Sequence, residues 1–435
     1  MSILTKIAPR KVFYGWWIVV ASTFFNFFVG GTFLYGFTAF FDPLRNHFGW
    51  TSAQTALGVS LQRLEGCIAA PAVGFLFDRV GPRKLILFGM IVAGCGLIYM
   101  SRIQSLVSFY VASLVMAVGL SFAWMGPPMY TVANWFIKRR SRALSFLLAG
   151  TSLGGLLVPL LVLFITQAGW RTSLMAVGIG FCVIGAPIAM IIKHRPEKHG
   201  YLPDGDVAGV SGSMPSAYTL KNEATLNVSP SSIETNFSVR QTLRTRAFWF
   251  LSLAVMLSFF TASAVMVLEM PHLENVGISR EVAGLAVSFT TLLSLTGSLV
   301  SGLLGDVIKK SHLLAVALVL QCSGMFIFAY IYQPWHLVPF LLLYGIGFGA
   351  TIPLRPAMFA DYFGRSNIGT ILGLMMSSAL FGSVWSSLIA GWFFDLNGKY
   401  QGIFIIYAVA LSLAIPAVLL AGRPALETKT KSDVE

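Results

Sequence analysis

Twelve separate apolar runs of roughly membrane-spanning length punctuate this chain, and few folds can absorb that much oily surface. A helical crossing takes about 20 apolar residues, because the hydrocarbon layer is about 30 Å thick and a helix rises about 1.5 Å per residue. The runs fall at about 13–41, 53–76, 85–101, 106–132, 142–166 and 172–192. After a polar interval they resume at about 247–270, 279–303, 312–331, 335–357, 368–392 and 401–421. Of the 435 residues, 56% are apolar or aromatic and 11% are charged, against roughly 25% charged in soluble domains. The polar surface that water demands is missing. The expectation is an all-α membrane protein with twelve transmembrane helices, an even number that returns both termini to one side.

The basic residues say which side. The termini and the even-numbered loops hold 23 of the 30 Lys and Arg residues, including Arg79, Arg83, Lys84, Lys138, Arg139, Arg140 and Arg142. The opposite face holds Arg45, Arg102, Arg171, Arg280 and Lys399, while Arg63 and Arg355 fall inside helices. Positive loops stay in the cytoplasm, so the termini are expected there. A net charge of +13 on a soluble chain would suggest nucleic acid. Here the charge is scattered over short loops between apolar runs, and no nucleic-acid partner is expected.

Cys67, Cys95, Cys182 and Cys322 lie inside the apolar runs without metal-ligand spacing; they read as buried unpaired thiols, and no metal or cofactor is implied. Lys6 to Lys11 precede a long apolar run lacking a small-residue cleavage site, so the first helix reads as uncleaved. Nucleophile motifs, His/Asp clusters and P-loop spacing are absent, which argues against an enzyme and against ATP as the energy source.

The chain repeats itself. Gly74 and Asp78 at the end of the second helix recur 228 positions later as Gly302 and Asp306. Ala133-Asn134-Trp135-Phe136 at the end of the fourth recurs 227 positions later as Ala360-Asp361-Tyr362-Phe363. Two unrelated patterns sharing nearly one offset indicate a duplicated six-helix unit. The division expected is 1–193, a linker at 194–246, and 247–435. The linker is rich in Ser, Asn, Thr and Pro, and reads as flexible with little fixed structure. Ser238 to Arg246 reads as a short surface helix. Asn227 and Asn236 match the glycosylation pattern, but on the cytoplasmic side, where it goes unused.

The sequence Gly74-x-x-x-Asp78-Arg79-x-Gly81-x-Arg83-Lys84 between helices 2 and 3 resembles the signature loop of the major facilitator superfamily. The resemblance covers the whole chain apart from the linker. It implies two pseudo-symmetric six-helix bundles, usually a monomer, with Asp78 facing the start of helix 11. Asp78, Arg79 and Arg83 would then be cytoplasmic gate residues, with Gly74 allowing close helix approach. Without that role they remain topology signals and lipid-headgroup anchors. Tyr14-Gly15-Trp16-Trp17 and Trp135-Phe136-x-Lys138-Arg139-Arg140-x-Arg142-Ala143 are similar to the oxalate/formate antiporter and monocarboxylate porter group. That group carries a substrate-binding arginine in helix 8 where this chain has Ser298, and helix 11 has no cation either.

An ionisable side chain at the bilayer centre costs about 2.5–3.5 kcal/mol on insertion scales, so it marks a wet cavity or a partner. Arg63 and Glu65 sit near the middle of helix 2, about 200° apart around its axis. Arg63, with Gln62 and Gly66 beside it, is the candidate facing a central cavity and an anionic group. Glu65 is the candidate for a coupling proton. Either can instead satisfy a structural bond between helices. Arg355, between Pro353 and Pro356, points to a gate near the cytoplasmic end of helix 10. Glu269 and His272, around Pro271, read as a solvated loop at the outer end of helix 7, or as a proton sensor. Asn26, amid Phe24, Phe25, Phe27 and Phe28, offers a polar anchor in a largely apolar cavity. Ser377, Ser378, Ser383 and Ser386 line a path or tie helices together.

Together these features suggest a secondary transporter of the plasma membrane (a bacterial inner membrane) that moves a small organic anion with protons by alternating access. An exporter of lipophilic compounds is the alternative, and a membrane sensor a weaker one, since no output domain is present.

Overall fold

The computed structural model describes residues 13–205, 236–397 and 400–424, and all the regular structure among them is helical. Helix α1 (Tyr14–Leu34) widens in its last turn, where Gly30 and Gly31 lie against the backbone of Thr151 and Gly154. The sequence pattern carries this helix to residue 41. The chain instead turns at Tyr35 and forms a separate short helix, Phe41–Phe48, ended by Gly49 at φ 69°. Its residues Asp42, Arg45, Asn46 and His47 are too polar to extend a crossing.

Thr51 and Gln54 exchange hydrogen bonds at the start of α2 (Ser52–Val80), satisfying amide groups that a helix start leaves orphaned. Gly81, at φ 85°, reverses the chain, and Pro82 opens α3 (Pro82–Met100). Proline suits a first helical position because its missing N–H is not needed there. Helix α4 (Leu106–Trp135) breaks at Trp124 and Met125, before the helix-disrupting Pro127 and Pro128. Helices α5 (140–168) and α6 (170–191) run into each other and part at Gly169, φ 80°.

The second set comprises α7 (Arg246–Asn275), α8 (Arg280–Leu304), α9 (Lys310–Ala329), α10 (Pro334–Phe363), α11 (Ile368–Asn397) and α12 (Gln401–Leu420). Ten stretches among the described residues are long and apolar enough to cross a membrane, with 140–191 taken as one. Helix α2, with Gln62, Arg63 and Glu65 among its apolar residues, is not one of them.

Helix α3 packs on α4 and α6, and α1 on α5; α7 packs on α11 and α12, α8 on α10, and α9 on α10 and α12. Glycines allow the close approaches: a Cβ on Gly119 would overlap Ala93 of α3, and one on Gly349 would overlap Ser294 of α8. Large apolar side chains such as Ile68, Leu156 and Val183 point outward at 64–72% exposure, which suits lipid and not water.

Two expectations change here. The apolar run of helix 10 ends near 357, but the helix passes through Pro353 and Pro356 and continues to Phe363, because Leu354, Met358, Phe359 and Phe363 are buried against its neighbours. Packing outweighs the backbone bonds that proline forfeits. Helix α7 runs on to Asn275, so Glu269 and His272 are buried within the bundle and do not sit in a solvated loop.

Residues 206–235, including Asn227, lie outside the described residues. The flanks of the expected flexible linker are fixed on the body. Residues 193–205 form a strap: Asp204 accepts the backbone N–H groups of Ile137 (2.9 Å), Lys138 (2.8 Å) and Arg139 (3.2 Å). Tyr201 stacks on Tyr14 with ring centres 5.9 Å apart, and Trp135 donates its indole N–H to the Lys193 carbonyl at 2.8 Å. On the other flank, Asn236 accepts the N–H groups of Arg365 and Ser366, and Ser238 caps the short helix Val239–Arg244.

Candidate functional site

A seam joins residues 13–205 to residues 236–424, and its two main contacts mirror each other. Along α2, Arg63, Cys67, Ala70, Gly74 and Asp78 recur at three- and four-residue spacing, so they share one face. The lower part of that face meets α11. Ser377 donates to the Cys67 carbonyl at 2.7 Å, and a Cβ on Gly74 would overlap the Gly369 carbonyl. Asp78 accepts the N–H of Gly369 (2.9 Å), the N–H of Thr370 (2.8 Å) and the Thr370 hydroxyl (2.7 Å). A carboxylate at a helix start meets unpaired N–H groups and the positive end of the dipole.

The repeat-related Asp306, just after α8, stands at the start of α5. It accepts the Ser141 N–H at 3.0 Å, with the Arg142 guanidinium 3.7 Å away. A Cβ on Gly302 would overlap the Ser145 side chain, as Gly74 meets Gly369. Ser145 donates to the Ser298 carbonyl at 2.8 Å, and the Ser298 hydroxyl is buried without a partner.

The positions related by the second repeat are also used. Arg140, fully buried, pairs with Asp361, which Lys310 also contacts at 2.6 Å. Arg365 donates to the Asn134 carbonyl and to Glu197, both at 2.9 Å. Arg195 reaches the Ser366 carbonyl at 3.0 Å. These contacts gather at the end of the bundle that carries Arg83, Lys84, Arg139 and Lys309, the basic end. At the opposite end, Arg171 meets His47 within residues 13–205, and Gln401 meets Tyr332 within residues 236–424.

The residues singled out by sequence fall in different places. Arg63 is exposed on the seam-facing stripe of α2, one turn above Cys67, and makes no hydrogen bond or ion pair with a described residue. Glu65 faces the other way, accepting the Ser121 hydroxyl of α4 at 2.8 Å beside an apolar groove lined by Leu61, Leu64, Ile68 and Leu114. Gln62 is buried, and Asn26, fully enclosed, donates to the Leu147 carbonyl at 3.1 Å, tying α1 to α5.

Arg79 and Arg83 lie off the seam. Arg79 stacks on Phe75, 4.2 Å from the ring centre. Arg83 donates to the carbonyls of Ala189 (3.2 Å) and Met190 (2.5 Å), because the end of α6 leaves carbonyls that a cation satisfies. Arg355 is buried between α7 and α10, bonded to Ser258 and Thr351 with its guanidinium over Phe259. It sits about 12 Å from the basic end of α10, given about 1.5 Å of rise per residue. Ser377 donates across to α2, Ser378 and Ser383 turn their hydroxyls to carbonyls of their own helix, and the Ser383 carbonyl accepts the Ser263 hydroxyl of α7. Sequence reasoning missed Asp361, Arg365 and Asp204. For Asp361 a signal existed, since the repeat replaces Asn134 with an acid. Among the described residues no group of three His, Cys, Asp or Glu side chains could hold a metal.

Against known proteins, the family model described as Major Facilitator Superfamily matches residues 19–272 and 248–435. Monocarboxylate transporter 12 of Xenopus laevis is 27% identical over 415 residues, covering 90% of this chain and 85% of that protein. The oxalate:formate antiporter of Oxalobacter formigenes is 22% identical over 94% of this chain and 93% of its own. Among solved structures, the transporter FucP in its outward conformation aligns with a TM-score of 0.68 at 14% identity, covering 93% and 98% of the two chains. The human organic anion transporter MFSD10 aligns at 0.66 and 15% identity, covering 93% and 97%. Those two likenesses concern the fold alone. Relatives that are transporters, an all-helical fold and the matching family model lead to one conclusion: the chain is a multi-pass membrane transporter belonging to the Major Facilitator Superfamily.

Proposed function

We propose that this transporter moves a small organic anion together with protons, and that Arg63 is its anchor. The carrying observation is an ionisable side chain, exposed and unpaired, on the α2 face that a turn lower seals against α11. A cation left unsatisfied in a membrane interior needs a ligand or water to be tolerable. The names of two relatives, a monocarboxylate transporter and an oxalate:formate antiporter, favour a carboxylate. Arg63→Ala, if still folded, should abolish carboxylate uptake by proteoliposomes under an inward proton gradient. Normal uptake by that variant would remove Arg63 from the mechanism.

The accompanying architecture is twelve crossings: the ten apolar stretches, with 140–191 counted as two, plus α2. The halves 1–193 and 247–435 rock about the central site as a monomer in the plasma membrane. The basic end faces the cytoplasm, so the seam is a closed inner gate, with the cavity open outward. Asp78 and Gly74 are gate residues in this reading, and the acidic counterpart is Asp306. Glu65 is the proton-coupling candidate of the first half, reached through α4 by way of Ser121.

A second reading, export of lipophilic compounds, is favoured by one observation. Ser298 stands where the related group has its helix 8 cation, and it is buried at the seam. Cells overexpressing the protein would then resist dyes or drugs, and an importer would leave resistance unchanged.

A further inference from the structure

A column of polar side chains runs through the otherwise apolar interior of the second half. Glu269 on α7 is 3% exposed, and Thr290 of α8 donates its hydroxyl to the carboxylate at 2.7 Å. Tyr344 of α10, also buried, lies beside Gln321 of α9 and within electrostatic reach of both Glu269 and Arg355. Ser258 of α7 donates to the Gln321 side-chain carbonyl at 3.0 Å and accepts from the Arg355 guanidinium. The Gln321 amide nitrogen is fully enclosed with no partner. Tyr344, Thr351 and Arg355 are spaced seven and four residues apart, so they share one face of α10. Tyr344 to Arg355 spans about 16 Å along the helix.

Neither end of this column is directly neutralised. Among the described residues no carboxylate bonds Arg355 and no cation bonds Glu269. Two buried charges held apart are costly, and a carboxylate can escape the cost by taking up a proton where a guanidinium cannot. We propose that Glu269 is a proton-binding site of the transport cycle, with Arg355 balancing the carboxylate through Tyr344, Gln321 and Ser258 whenever the proton leaves. The proton adds to a carboxylate oxygen and departs from the same atom, with nothing else consumed.

The neighbouring groups permit this. His272, one turn along α7, turns its ring to the Phe328 carbonyl (3.0 Å) between Phe328 and Phe404. Helix α8 offers the Thr290 hydroxyl. Helix α11 carries no ionisable residue from Ile368 through Phe394. On α12, Tyr407 is occupied with the Ser386 carbonyl at 2.6 Å.

The proposal rests on the transport reading for its meaning, so the test has one arm that needs no substrate. Full-length protein, wild type and Glu269→Gln, is compared by infrared difference spectroscopy between about pH 5 and about pH 8. A protonated-carboxyl band in the wild type that vanishes in Glu269→Gln is expected, and an unchanged band overturns the proposal. The second arm uses proteoliposomes and radiolabelled lactate. A gradient of about one pH unit lets one coupled proton concentrate the solute about tenfold. Glu269→Gln should lose that accumulation while exchange at equal pH stays within about twofold of wild type. Full accumulation by the variant also overturns the proposal. A wild type that does not carry lactate counts against the substrate reading alone, and the infrared result still decides.

Discussion

Asp78 spends both carboxylate oxygens on three donors at the start of α11, so small chemical changes there should be felt across the seam. Hydrogen bonds to a charged group contribute about 1.5–3 kcal/mol each. Asp78→Ala should therefore favour separation of the basic end by a few kcal/mol. Cys67, on the same face and bonded to Ser377, reports it: with the other three cysteines replaced, its maleimide labelling from the basic end should accelerate at least about tenfold, the ratio that about 1.4 kcal/mol buys. Unchanged labelling would separate Asp78 from closure. Asp78 and Gly74 were legible in the sequence through the signature-loop resemblance, which implies a contact of Asp78 with the start of helix 11, and the same pair recurs at Asp306 and Gly302. Glu269 was misread, since a carboxyl next to a proline looks like a loop until α7 is seen to run through Pro271. Asn26 is a different case: a polar residue amid aromatics reads as a ligand anchor, and only tertiary packing reveals the Leu147 carbonyl as a partner of its amide.

At the scale of helices, the apolar runs located every long element, and their ends drifted where local chemistry competes with length. Helix α1 stops early at a polar segment, while α10 outlasts two prolines because its far turn is buried. The crossing of α2 and α11 depends on the absence of a side chain at Gly74. Gly74→Leu should hold these helices apart, leaving the protein folded but unable to seal the basic end. Exchange should be lost while the melting temperature falls by only a few degrees, as about 1–3 kcal/mol of overpacking would give. Gly302→Leu should act likewise at the α5–α8 crossing, where Ser145 occupies the space. If either variant exchanges normally, that crossing is not a moving contact.

For the whole molecule, the duplicated sequence becomes a duplicated clamp. Asp78 acts on α11 and Asp306 on α5, and the two sites share no partner. Their effects on opening should add to within about 0.5 kcal/mol. Labelling of Cys67 in Asp78→Asn, Asp306→Asn and the double variant checks this, and a double variant no worse than either single one would mean that the clamps act as one. The strap at 193–205 had no sequence signal, since Asp204 binds three backbone N–H groups from a loop 65–67 positions earlier.

That strap is fastened unequally. Its far end, Tyr201 and Asp204, grips the first half, while Arg195 and Glu197 reach across to Ser366 and Arg365. If the two halves swing apart as proposed, the far grip can ride along unbroken and only the near ties must let go. The segment would then behave like a buckle sewn to one lapel, and Arg195→Ala should unfasten it without loosening the cloth: faster opening at the basic end, with an unchanged melting temperature.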